Sequence, residues 1–250
     1  MSKTIALVTG ASSGLGEQFC RALAGRCDRI IAVARRAERL TALAEELSAE
    51  VELVPVVADL ATLEGVARTV EALRQKGPVT ILINNAGFST FGAFAESNIE
   101  QEHKMMRVHM DAAVSLCRAA LPFMREQQRG YVINVSSVGS FLPLKLSAVY
   151  GACKAFLNSF SISLQEEEAA NGIRVQCLCP GLTRTEIHDT ESFAGFDKSL
   201  MPEEMWMEPA DVVDASLAAL DSEQVFLVPG AINQSLVRQG LEGQLQSIAE

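Results

Sequence analysis

Short runs of apolar, often β-branched residues alternate along the chain with longer stretches whose apolar positions recur at helical spacing. The runs Ile5 to Val8, Ile30 to Val33, Val51 to Val57, Ile81 to Ile83, Tyr131 to Val135, Val175 to Leu178 and Val225 to Val228 are nearly continuous, as strands buried on both faces are. Between them, Glu38 to Leu47, Leu63 to Leu73, Glu100 to Leu121 and Ala148 to Ala170 read as amphipathic helices. The alternation predicts an α/β fold in which repeated βαβ units close one doubly wound, seven-stranded parallel sheet flanked by helices. Right-handed crossovers bring every strand's C-terminal end to one edge, where ligands bind at the point of reversed strand order.

One stretch breaks the rhythm. Arg184 to Pro209 has no strand pattern but carries Phe193, Phe196, Met201, Met205, Trp206 and Met207, so we read about 184–209 as a substrate lid. Glu166-Glu167-Glu168, near a helix end, reads as a solvated face.

Composition narrows the picture. With 250 residues, 48% hydrophobic and 21% charged, the chain suits one globular domain over residues 1–250. No apolar run reaches the ~18 residues of a membrane span. Met1-Ser2-Lys3-Thr4 leads straight into an apolar run without the features of a secretory signal, and a cytoplasmic location is expected. A net charge of -10 opposes nucleic-acid or anionic-membrane partners. Against that charge, Arg35-Arg36 and Arg39 form a basic cluster that calls for a small anion. Cys20, Cys27, Cys117, Cys153, Cys177 and Cys179 form no C-x-x-C and read as reduced, buried thiols. His103, His109 and His188 lack ligand-like spacing, so no metal is expected.

Directly after the first strand comes Thr9-Gly10-Ala11-Ser12-Ser13-Gly14-Leu15-Gly16, opening a helix. Gly10 permits a tight turn, Gly14 lets backbone approach a pyrophosphate, and Gly16 allows close packing of helix on strand. The helix N-terminus favours the negative charge.

With this motif the chain resembles the short-chain dehydrogenase/reductase family, whose T-G-x-x-x-G-x-G it matches. Asn84-Asn85-Ala86-Gly87 after the fourth strand resembles the family's N-N-A-G. Tyr150-Gly151-Ala152-Cys153-Lys154 is its Y-x-x-x-K, Ser137 stands at the family spacing before Tyr150, and Pro180-Gly181 follows the sixth strand. The resemblance runs from the first strand to the seventh and implies a single Rossmann-type domain that is an oxidoreductase interconverting carbonyls and alcohols. It also implies a homodimer or homotetramer, formed through the long fourth and fifth helices.

For the cofactor, the resemblance assigns the glycine loop to the pyrophosphate and Asp59-Leu60 to adenine. Asn85, Ala86 and Gly87 would border the nicotinamide ribose, and Thr183 and Thr185 would hold the carboxamide. Where an acidic residue would bind a ribose 2′-hydroxyl, this chain has Ala34 followed by Arg35-Arg36, which suits a 2′-phosphate. NADP(H) is therefore expected over NAD(H), although Ser13 stands where some NADP-preferring members carry a second basic residue.

Hydride transfer to a carbonyl builds negative charge on its oxygen, which needs a proton donor and a hydrogen-bond donor. Tyr150 would give the proton. Lys154, one helical turn on, would lower the phenol's pKa and hold the ribose hydroxyls. Ser137 would orient the substrate oxygen, in preference to Ser136, which on a strand faces the other side. Where the family usually has an asparagine in its fourth helix, thought to hold a relay water partly through a helix distortion, this chain has His109. Its imidazole titrates near neutrality and either replaces that relay or substitutes only structurally.

Phe88, Phe91 and Phe94, Gly139 to Leu144, Val149 and the lid outline an apolar pocket. The first reading is an NADPH-dependent reductase of a medium-sized apolar ketone, aldehyde or 3-oxoacyl group. The alternatives are an NAD-dependent alcohol or steroid dehydrogenase and a non-catalytic nucleotide-sensing protein.

Overall fold

The computed structural model describes residues 3–193 and 195–248. Met1 and Ser2, where a signal was sought, Ala194 in the expected lid, and Ala249 and Glu250 lie outside the described residues.

Seven parallel strands form one sheet in the order β3-β2-β1-β4-β5-β6-β7. They are β1 (Ile5–Thr9), β2 (Arg29–Ala34), β3 (Glu52–Val57), β4 (Ile81–Asn84), β5 (Gly130–Val135), β6 (Ile173–Leu178) and β7 (Phe226–Leu227). The helices are α1 (Gly14–Ala24), α2 (Ala37–Glu46), α3 (Leu63–Lys76), α4 (Ile99–Met106), α5 (Ala112–Glu126), α6 (Ala148–Glu168), α7 (Pro209–Ala218) and α8 (Ala231–Ile248).

The continuous apolar runs become strands because each strand feeds two cores. Ala6, Val8, Ile30, Ala32, Ile83 and Ile133 share one cluster with Phe19 of α1, Leu40 of α2 and Val213 of α7. Ile5, Leu7, Ile31, Val33, Leu82 and Val132 share the other with Leu73 of α3, Leu116 of α5 and Leu164 of α6. Each large side chain so buried contributes about 1.5–3 kcal/mol, so both helix layers are held by the sheet itself. At the edge, β3 alternates between buried and exposed residues, and Pro55 is tolerated there because β3 pairs with β2 alone.

β1 pairs with β2 on one side and β4 on the other. The winding reverses between them, which opens a crevice at their C-terminal ends.

The structure departs from the sequence reading in three places. The expected helix over Glu100 to Leu121 is split into α4 and α5 by a π-helical turn, Arg107–Asp111, where the Ala112 amide bonds back to the Arg107 carbonyl. The last strand spans two residues, Phe226 and Leu227; the Cys177 and Cys179 amides donate to the Val225 and Leu227 carbonyls, and Pro229-Gly230 follows. Helices α7 and α8 were not foreseen, and α8 reaches back to the ligand edge through Asn233 and Val237.

Candidate active site

The glycine loop joins β1 to α1 at the crevice. Gly10 and Gly14 have φ of 69° and 55°, left-handed values that side-chain-bearing residues avoid. A Cβ on Gly10 would stand 2.8 Å from Asn85 Nδ2, and one on Gly16 only 2.3 Å from the Gly10 carbonyl oxygen. Asn85 locks the loop: its Nδ2 donates to the Thr9 carbonyl at 2.8 Å, while the Asn85 and Ala86 amides donate to Thr9 Oγ1, each at 2.9 Å. Asn84 points the other way and donates to Asn134 Oδ1 at 2.8 Å inside the core. Ser13 caps α1 without a side-chain hydrogen bond, so the first amides of α1 are not satisfied by that side chain. A bare backbone cradle beside a helix N-terminus fits a pyrophosphate.

At the end of β2, Arg36 donates to Ser12 Oγ at 3.1 Å and to the Ser12 carbonyl at 3.2 Å. It also pairs with Glu186 at 2.8 Å, and Arg39 pairs with the same carboxylate at 3.2 Å. Arg35 is exposed and lines the crevice, as do Ser12, Ser13, Leu15, Asp59 and Leu60. Asp59 Oδ1 accepts from the Ala61 amide at 3.0 Å, which shapes the turn after β3. After β6, Pro180 accepts from the Val138 amide at 3.0 Å, and the Thr183 hydroxyl donates to the Gly181 carbonyl at 3.1 Å. Thr185 lies against Gly14.

Ser137, Tyr150 and Lys154 meet at the ends of β5 and the start of α6, in one cavity of about 660 Å³ that the glycine loop also lines. Tyr150 is half-buried in the first turn of α6, and Lys154 Nζ lies 5.6 Å from its ring centre. Lys154 itself is buried, and Nζ donates to the Val135 carbonyl at 2.7 Å. Burial lowers the Lys154 pKa to about 8, which leaves the ammonium charged at neutral pH. For Tyr150 the expected lowering by Lys154 is not what dominates: burial pushes the phenol up, partly opposed by the Ser137 hydroxyl. The phenol is thus held in its proton-bearing form. Ser137 Oγ accepts from the Gly139 amide at 3.1 Å and lines the cavity. The Ser136 hydroxyl is buried and donates to the Lys154 carbonyl at 2.9 Å or Asn158 Oδ1 at 2.7 Å, which ties β5 to α6.

His109 occupies the middle of the π turn, its ring 5.8 Å from that of Tyr150 and nearly perpendicular to it. Nε2 lies 2.9 Å from the Phe88 carbonyl and 3.3 Å from the Phe88 amide, so the tautomer decides which bond forms. Nδ1 is buried with no hydrogen-bond partner. Burial, with Lys154 nearby, holds the ring well below the usual histidine pKa, so the expected titration near neutrality is replaced by a neutral imidazole. The ring packs on Gly87, where a Cβ would fall 2.4 Å from Cε1.

Segment 184–209 is a chain of short 3₁₀ turns whose ends are pinned, Met207 to the Leu182 carbonyl at 2.9 Å and Arg184 to the Met207 carbonyl at 3.0 Å. Phe193, Phe196, Met201 and Met205 face the cavity with Phe88 and Phe91. Phe91, Phe193, Phe196 and His188 form a ring cluster with centres 5.0–5.8 Å apart. Seven expected lining residues lie elsewhere, Ser140, Phe141 and Pro143 of the Gly139 to Leu144 stretch among them. Phe94 is 60% exposed on a 3₁₀ turn, Trp206 stands 5.5 Å under Arg184, and neither Val149 nor Met207 borders the cavity. A more open groove of about 900 Å³ runs outside the lid against α1 and touches none of Ser137, Tyr150 and Lys154.

Sequence reasoning missed Glu186, His188, Asn233 and Leu236 as lining residues. Glu186 and His188 carry no motif, and Asn233 and Leu236 lie on α8, whose apolar positions are too sparse to mark a face. Among the described residues no cluster of histidine, cysteine and carboxylates could hold a metal, all six cysteines are free and buried, and no helix is long and apolar enough to cross a membrane.

A family model described as short chain dehydrogenase matches residues 4–193. An uncharacterized oxidoreductase of Staphylococcus epidermidis is 31% identical over 221 residues, covering 88% of this chain and 92% of the relative. Among solved structures, a short-chain dehydrogenase from Sphingobium yanoikuyae in complex with NADPH is similar with a TM-score of 0.85 and 33% identity, over 98% of this chain and 95% of its own. The bulky-bulky ketone specific alcohol dehydrogenase from Comamonas testosteroni is similar with a TM-score of 0.81 and 30% identity, over 97% and 94%.

Proposed function

The chain belongs to the short-chain dehydrogenase family and is an NAD(P)-dependent oxidoreductase acting on CH–OH and C=O groups; from that premise, we propose that it is an NADPH-dependent reductase of a medium-sized apolar ketone, aldehyde or 3-oxoacyl group. The observation that carries this reading is the single cavity lined both by the glycine loop and by Ser137, Tyr150 and Lys154. A bound nicotinamide supplies the hydride. The Ser137 hydroxyl donates to the substrate oxygen, and Tyr150 delivers its proton there as negative charge develops. The buried Lys154 ammonium stabilises the phenolate left behind and reaches the ribose hydroxyls. A phenol held protonated by burial has the proton that reduction of a carbonyl requires. Gly10 to Gly16 cradle the pyrophosphate, Asp59-Leu60 the adenine, Asn85 to Gly87 the ribose, and Pro180-Gly181, Thr183 and Thr185 the carboxamide.

Arg35 and Arg36, with no carboxylate at the end of β2, support NADP(H). The NADPH in the Sphingobium relative agrees with that preference, and the ketone specificity of the Comamonas relative agrees with an apolar lid. The reading places the enzyme in the cytoplasm as one domain lidded by 184–209. It also assembles the protein as a homodimer or homotetramer over α5 and α6, where Val114 and Ile162 are exposed. The test is calorimetric titration with NADPH and NADH. NADPH binding tighter by about tenfold, ~1.4 kcal/mol, and reversal of that preference by Arg35→Asp support the reading. Preferred NADH would move an oxidative, NAD-dependent activity into its place.

A further inference from the structure

Among the described residues, Glu186 is the lid carboxylate that pairs with the basic cluster after β2. It accepts from Arg36 at 2.8 Å and pairs with Arg39 at 3.2 Å, while Arg36 is braced by both Ser12 oxygens. Two guanidinium groups around one carboxylate, beside the glycine loop, form the arrangement that a phosphate monoester takes. Glu186 lines both the catalytic cavity and the outer groove, so it stands on the wall between them. Directly after it come Ile187 and His188, which line the cavity, and His188 belongs to the lid's ring cluster.

We propose that Glu186 occupies the place of the cofactor's ribose 2′-phosphate and latches the lid to Arg36 and Arg39 until that phosphate displaces it. The inference rests on the NADP(H) reading above. A 2′-phosphate carries nearly two negative charges against the single charge of the carboxylate, so it takes the guanidinium groups, and Glu186 leaves with the backbone of Ile187 and His188. A nucleotide with a free 2′-hydroxyl has nothing to exchange for the carboxylate and leaves the latch closed. Glu186 thus sets how strongly the 2′-phosphate is felt and connects that choice to the wall of the substrate cavity.

The experiment measures binding of 2′,5′-ADP and 5′-AMP to the whole protein by calorimetry, for wild type, Glu186→Gln, Arg36→Ala and the double variant. The Arg36 and Glu186 side chains are 42% and 47% exposed, and circular dichroism confirms each fold. Glu186→Gln removes the competitor while keeping shape. It is expected to tighten 2′,5′-ADP by roughly three- to tenfold, the scale of one or two exposed ion pairs, and to leave 5′-AMP unchanged. In the Arg36→Ala background the same change is expected to have less than a twofold effect. Unchanged or weaker 2′,5′-ADP binding by Glu186→Gln, with the wild type still preferring 2′,5′-ADP, would overturn the latch alone. No preference for 2′,5′-ADP in either protein would overturn the latch together with the NADP(H) reading. Equal tightening of both nucleotides would also overturn it, since the gain would then not come through the phosphate.

Discussion

Removing the charge of Lys154 should make the nucleotide-free protein more stable at neutral pH while destroying its chemistry. The side chain is 4% exposed and its pKa falls from 10.5 to about 8 through burial. That fall corresponds to a native-state penalty of about 3 kcal/mol for the charged form. Lys154→Met keeps the length of the stem and abolishes the penalty, but it forfeits the bond from Nζ to the Val135 carbonyl, which takes back about 1–2 kcal/mol. A net gain of about 1–2 kcal/mol remains, and for a chain of this size each kcal/mol moves Tm by roughly 2–4 °C. The pH dependence fixes the cause. Below about 8 the lysine is charged in both folded and unfolded chains, so the wild type carries the full penalty. Between about 8 and 10.5 the folded form is neutral while the unfolded form is still charged, so wild-type stability rises relative to the variant. Paired thermal scans from pH 6.5 to 10.5 should show an advantage for Lys154→Met that is constant at first and shrinks above about pH 8. A variant less stable than wild type at pH 7, or an advantage that does not change with pH, would refute the argument.

Two other predictions concern His109. In Gly87→Ala the new Cβ would lie 2.4 Å from the imidazole Cε1, and the cavity beside the ring is only about 10 Å³, too cramped for it to retreat. Overpacking of this kind should cost about 1–3 kcal/mol in urea unfolding, with much of the loss restored when Gly87→Ala is combined with His109→Asn; no loss would mean the ring is free to move. His109 is held well below 6.5, so the unfolded chain takes up its proton first as pH falls. Its stabilising effect is complete above 6.5 and lost below it. His109→Gln should therefore flatten part of the acid side of the stability profile, and an unchanged profile would contradict a buried neutral ring.

The sheet and the glycine, Asn-Asn and Tyr-Lys segments were legible in the sequence because each depends on local chemistry. Doubly buried strands must be apolar throughout, Gly16 must lack a Cβ, and residues four apart on a helix share a face. What escaped depends on contacts distant in sequence. Phe94 stands on a 3₁₀ turn outside the cavity that Phe91 lines, and Trp206 packs between Arg184 and His188 rather than lining it. Glu186 pairs with a residue 150 positions before it, which no local pattern announces. The neutral state of His109 likewise comes from burial, with Lys154 nearby, and the π-helical turn that holds it interrupts a stretch whose pattern reads as one helix.

The central claim is that Tyr150 delivers the proton that accompanies hydride transfer. The most direct test compares wild type and Tyr150→Phe with NADPH and a medium-sized apolar ketone that the wild type reduces, following NADPH oxidation, alcohol formation and, separately, the Kd for NADPH. The account predicts one alcohol formed per NADPH oxidised by wild type. In Tyr150→Phe it predicts a fall in kcat of about 10²–10⁴ with NADPH affinity within roughly twofold. Turnover by Tyr150→Phe at the wild-type rate would contradict it.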